Sequence, residues 1–148
     1  MIFIHLLIGI LLGKIYGNYI YFIAGSLIPD IDHLYIILKN RLYNIKKIIS
    51  SIKYEKNYGL KYKTPLIHSI LGLVIISSAV FFFNKIGAVY FSLAYFIHLL
   101  IDWVDIDEKY YLYPLKIKFK GFLPIWSKQE KILTLLVIIL LVIIYIKL

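Results

Sequence analysis

The sequence contains no cysteine, which excludes thiolate metal ligands, disulfides and thiol catalysis. Charge is scarce as well: 17% of the residues are charged against 61% hydrophobic, an apolar excess that ordinary soluble domains do not carry. Acidic residues are the rarer sign, eight Asp and Glu against 17 Lys and Arg. No internal repeat or low-complexity tract is evident. No nucleic-acid-binding motif accompanies the lysines, which flank apolar runs instead, so no nucleic-acid partner is expected. The apolar run from Met1 to Gly13 lacks the basic leader of a signal peptide and is expected to be a retained helix.

What the sequence does contain is apolar blocks long enough to cross, or nearly cross, a hydrocarbon core, which takes about 20 helical residues. The expected class is an all-α integral membrane protein with about five transmembrane or membrane-embedded helices and an interfacial amphipathic helix, forming a single membrane domain over residues 1–148. A helical hairpin is expected over 2–28: Ile2 to Tyr16, a turn at Gly17-Asn18, then Tyr19 to Ile28, closed by Pro29. Residues 29–64 read as a cytoplasmic amphipathic segment. There Ile36, Ile37, Ile45, Ile48, Ile49 and Ile52 recur among Lys39, Lys46, Lys47 and Lys53, a pattern that suits a helix on the membrane surface. Spans follow over 65–83 and 86–104. In the interfacial segment 105–130, Leu115 to Lys120 alternates with period two, as a strand or extended segment would. Trp126 and the tyrosines would sit in the headgroup belt, and an anchor helix closes the chain over 132–147.

Eight Lys and Arg lie between Lys39 and Lys63, and six between Lys109 and Lys131. The positive-inside bias puts both loops on the cytoplasmic side of a multi-pass protein of the cell membrane, where they also attract anionic lipid. The first, third and fifth segments then run outward. His5 lies 12 residues before Gly17, Asp30 12 after Asn18, His98 12 after Ile86, and His68 16 before Asn84. At about 1.5 Å per residue, four segments deliver His or Asp to one layer on the cytoplasmic side.

Each of these residues alone has a plain explanation. His5 suits an interfacial histidine, Asp30 a helix start after proline, and Asp32 and His33 a solvated surface. His68 and Ser69 suit hydrogen bonds to a neighbouring helix. His98 and Asp102 share one helix face one turn apart, as a buried hydrogen-bonded pair without metal or as a grip on one ion. Their convergence in one layer favours the ion. Imidazole and carboxylate without sulfur suit zinc, manganese or ferrous iron better than magnesium or calcium.

In series, His5, Gly25-Ser26-Leu27-Ile28-Pro29-Asp30-Ile31-Asp32-His33, His68-Ser69 and His98-Leu99-Leu100-Ile101-Asp102 resemble the YdjM-like family of membrane-bound metal-dependent hydrolases. The resemblance covers about residues 1–125 and implies a distant similarity to zinc-dependent phospholipase C. It makes His5, Asp30, His68, His98 and Asp102 metal ligands, with Asp32 and His33 ligands or supports of ligands. Two departures matter. The basic residue and threonine usual before His-Ser become Lys63-Thr64-Pro65-Leu66-Ile67, leaving Lys63 as a point charge where a phosphate-binding arginine would stand. No histidine follows His98, so one or two ions are expected and not three.

The function so implied is hydrolysis of a phosphoester, in a lipid or other anionic substrate, by a metal-activated water. Asp30 or Asp32 would be the general base, Lys63 and Lys109 would hold the anion, and His33, Ser69 and Asp105 would support the ligands. An ion- or proton-coupled transporter is the alternative, although the polar residues lie on one side and no inverted repeat is visible. A scaffold recruiting a partner through its basic loops is another.

Overall fold

The computed structural model describes residues 2–124 and 127–147, so Trp126 lies outside the described residues. The expected all-helical class holds. Helix α1 spans Ile2–Tyr16 and stops at Gly17, whose φ of 77° is open to glycine without steric cost. The Gly17 N–H closes the last turn on the Gly13 carbonyl at 2.8 Å.

Helix α2, Tyr19–Leu27, was expected to end the hairpin at Pro29. Instead a 3-10 turn, Ile28–Asp30, carries the chain into α3, Ile31–Lys39. Proline lacks only an N–H that the first turn of a helix leaves unused, and the Ile31 N–H bonds the Ile28 carbonyl across it. The result is one helical path from Tyr19 to Lys39, 21 residues long and apolar enough to cross a membrane.

Helix α4, Ile45–Lys53, starts at Asn44, whose side-chain oxygen accepts the Lys46 N–H at 2.9 Å. The short α5 covers Glu55–Tyr58. Helix α6 covers Ile70–Phe83 and begins later than Pro65, the expected start, because residues 65–69 form a turn capped by Ser69. Helix α7, Lys85–Val104, and helix α8, Lys128–Lys147, are each long and apolar enough to span. Of the two forms expected over 115–120, a strand or an extended segment, the strand is absent among the described residues. Extended pairing is limited to isolated bridges, Asp105 with Leu123 and Lys109 with Phe119, which make no ladder.

Helices α2 and α7 share the most extensive contact, with α1 against α2, α6 against α7, and α8 against α1. Gly25 permits the α2–α7 approach: a Cβ there would lie 2.3 Å from the Phe91 carbonyl oxygen and 2.9 Å from the Ala94 Cβ. Around this contact Phe91, Tyr95 and Leu99 of α7 pack with Tyr21, Ala24 and Ile28 on one side and Leu73, Ile76 and Val80 on the other. The polarity is the reverse of a water-soluble fold. Ile20, Phe82, Phe83 and Val89 face outward, whereas His5, Asp32, His68, His98 and Asp102 are buried. Lipid is the solvent such a surface fits, and ionisable groups then turn to the bundle interior.

Candidate metal centre

Three of the chain's four histidines and three of its aspartates meet where α1, the α2–α3 junction, the turn before α6 and α7 converge. Asp102, on α7, is the hub. Its Oδ1 lies 3.2 Å from His5 Nε2, and its Oδ2 lies 3.4 Å from His68 Nε2 and 3.6 Å from His98 Nε2. Asp30 Oδ1 lies 3.9 Å from His98 Nε2 and 4.0 Å from His68 Nε2. The rings of His5 and His98 stack with centroids 3.8 Å apart.

Local structure sets each position. The i,i+4 spacing on α7 puts His98 and Asp102 on one face. The 3-10 turn at Pro29 rotates Asp30 and Asp32 inward, both buried. His68 rides on a pinned turn: the Tyr95 hydroxyl donates to the Ile67 carbonyl at 2.5 Å, and the Ile70 N–H bonds the Tyr111 carbonyl at 2.9 Å.

Asp32 is saturated by its neighbours. Its Oδ1 is 2.9 Å from His33 Nδ1, while Oδ2 accepts the Thr64 N–H at 2.7 Å and lies 3.1 Å from His68 Nδ1. His98 Nδ1 lies 2.7 Å from the Ser26 carbonyl oxygen. A carbonyl only accepts, so the proton is on Nδ1 and the lone pair on Nε2 points into the cluster. This is the arrangement that orients a metal-binding imidazole.

The fit to a cation rests on what is left over. His5 Nδ1, Asp30 Oδ2, His68 Nε2 and His98 Nε2 are all buried without a hydrogen-bond partner, a costly state for polar groups in a bundle interior. Two triples, His5 with His98 and Asp102 and Asp30 with His68 and His98, offer ligand atoms within 4.8 Å of one another. Nitrogen and oxygen donors without thiolate suit zinc, manganese or ferrous iron.

The remaining expected residues stand one layer out. Ser69 caps α6, its hydroxyl accepting the Gly72 N–H at 3.1 Å and donating to the Leu66 carbonyl at 2.6 Å. Lys63 and Lys109, expected to hold an anion, are committed to carboxylates instead. Lys63 Nζ lies 2.9 Å from Asp102 Oδ2 and pairs with Asp105 Oδ2, while Lys109 pairs with Asp105 Oδ1. Burial opposes the charge on Lys63, and Asp102 and Asp105 overcome it, holding its pKa above the ordinary lysine value. Burial and the neighbouring Lys63 lower the pKa of Lys109. Burial and the Asp105 carboxylate raise that of Asp107. Sequence reading missed the Ser26 carbonyl, the Thr64 N–H and the Tyr95 hydroxyl. Main-chain partners leave no trace in residue type, and Tyr95 is one aromatic among the chain's 14 tyrosines.

Fold and site together define a helical membrane protein whose interior holds a His/Asp cluster suited to a divalent cation. The chain belongs to the YdjM inner membrane protein family, whose model matches residues 1–148. No curated protein and no solved structure matches it, and the functional reading rests on the chemistry of the site.

Proposed function

We propose that this chain is a membrane-embedded, metal-dependent hydrolase that cleaves a phosphoester of a lipid or other anionic substrate at the cytoplasmic side of the bilayer. One observation carries the reading: buried imidazole and carboxylate atoms from four segments converge without hydrogen-bond partners. A divalent ion bound there, zinc in first place and manganese or iron as alternatives, supplies Lewis acidity to a water nucleophile and a phosphoryl oxygen.

The chain's own residues do the rest. The Ser26 carbonyl fixes the His98 tautomer. Asp32, bound by His33 and Thr64 and close to His68, orients that imidazole. Asp30, whose Oδ2 has no partner, is the better placed of the two expected bases to take the proton of the attacking water. Lys39, Lys46, Lys47 and Lys61 are exposed and draw anionic headgroups to the same side.

The test is metal content and phosphodiesterase turnover of the purified protein with a phospholipid substrate, for the native chain and for His98→Ala and Asp102→Ala. Loss of both properties in both variants is expected. A variant that keeps its metal or its turnover overturns the assignment. Metal or proton flux into sealed liposomes without hydrolysis would mark an ion carrier instead.

A further inference from the structure

Two features of the cluster bear on how many ions it takes. The first is His98. Both ligand triples draw on it, yet its Nδ1–H is spent on the Ser26 carbonyl at 2.7 Å, leaving one lone pair on Nε2. One lone pair serves one ion, so the triples are alternative views of a single centre and not two filled sites. The second is Lys63. Its ammonium lies 2.9 Å from Asp102 Oδ2, pairs with Asp105 Oδ2 and lies 3.9 Å from Asp107 Oδ2. Among the described residues, the ion pairs of Asp105 and Asp107 are with lysines, while Asp102 alone touches both the histidines and a lysine. In a two-metal hydrolase a second divalent ion stands about 3.5–4 Å from the first and shares the clamping of the reacting oxygens. Here the second cation on the shared carboxylate is an ammonium group of the chain.

We infer that the centre holds one divalent ion per chain and that Lys63 takes the place of a second, bridging Asp102 to Asp105 and Asp107. The inference rests on the metal-site reading above and narrows it. Lys63 is thus a positioning residue: it fixes Asp102 Oδ2 and supplies fixed positive charge where a dinuclear site would recruit an ion. The arrangement also explains why a buried lysine stands beside the cluster without being free to bind an anion. Removing the ammonium leaves three carboxylates facing one another without that cation, the kind of oxygen-rich pocket that takes a divalent ion.

The experiment is metal stoichiometry of the full-length protein in detergent after dialysis against excess zinc or manganese, with manganese electron paramagnetic resonance as a second readout. The native chain and Lys63→Arg should bind one ion and show an isolated manganese signal. Lys63→Ala should rise to two ions and show a spin-coupled signal. Two ions or a coupled signal in the native chain overturns the inference while leaving the metal site standing; no bound metal at all removes both. Lys63→Ala that keeps native helix content and a single ion overturns the role of Lys63. If that variant does not fold, Lys63→Met replaces it, and a single ion in folded Lys63→Met counts against the role equally.

Discussion

His98 donates its Nδ1–H to the carbonyl oxygen of Ser26, 2.7 Å away across the contact between α7 and α2. The bond exists because the residue before Ser26 is Gly25, where a Cβ would lie 2.3 Å from the Phe91 carbonyl oxygen. Gly25→Ala should therefore force the two helices apart, with a stability loss of about 1–3 kcal/mol from overpacking. Metal affinity should fall about 10–100-fold as the imidazole loses its orienting partner. Thermal unfolding in detergent and a zinc titration measure the two effects, and a variant with native values in both would show that the α2–α7 approach does not position His98.

The cluster ties binding to folding. Because the donor atoms come from segments far apart in sequence, the unfolded chain has no assembled site, and an ion that binds only the folded form stabilises it by mass action. Free metal at 100 times its dissociation constant should contribute about 2.7 kcal/mol. Chelation should lower the melting temperature, and resupply of zinc should restore it. An identical melting curve with and without chelator would contradict a bound ion in the folded state.

Ser69 separates capping from ligation. Its hydroxyl accepts the Gly72 N–H and donates to the Leu66 carbonyl, so Ser69→Ala should cost about 1 kcal/mol of stability without altering metal stoichiometry. Loss of the ion in a folded Ser69→Ala protein would instead make this hydroxyl part of the site.

Membrane orientation can be read with little background, since the chain has no cysteine. Asn40→Cys, in the first basic loop, and Lys85→Cys, at the first residue of α7, both replace exposed residues. With the basic loops inside, a membrane-impermeant maleimide applied from outside should label Lys85→Cys and spare Asn40→Cys until the membrane is opened. The opposite pattern would place the site on the other face.

Much of this was legible in the sequence. Apolar blocks fixed the helices because a backbone in lipid has no other way to satisfy its polar groups, and a shared count of residues from each turn brought His5, Asp30, His68 and His98 to one layer. Local exceptions escaped that logic. The α-helix α2 did end beside Pro29, but the helical path did not, because a 3-10 turn absorbed the missing N–H and swung Asp30 and Asp32 inward. Leu115 to Lys120 alternates as a strand would, yet has no partner strand among the described residues with which to form a ladder.

The sequence by itself determined the solvent, the helical class and the kinds of donor group the interior holds, because hydrophobicity and side-chain chemistry are properties of residues. Only the tertiary structure decided what Lys63 and Lys109 do. As sequence they are cations free to meet a phosphate; folded, they face Asp102 and Asp105 at contact distance, and a buried ammonium takes the nearest carboxylate because leaving both uncompensated in a low-dielectric interior costs more than any exposed contact returns. The single lone pair of His98 is likewise a tertiary fact, set by a backbone carbonyl on a helix that is distant in sequence and adjacent in space.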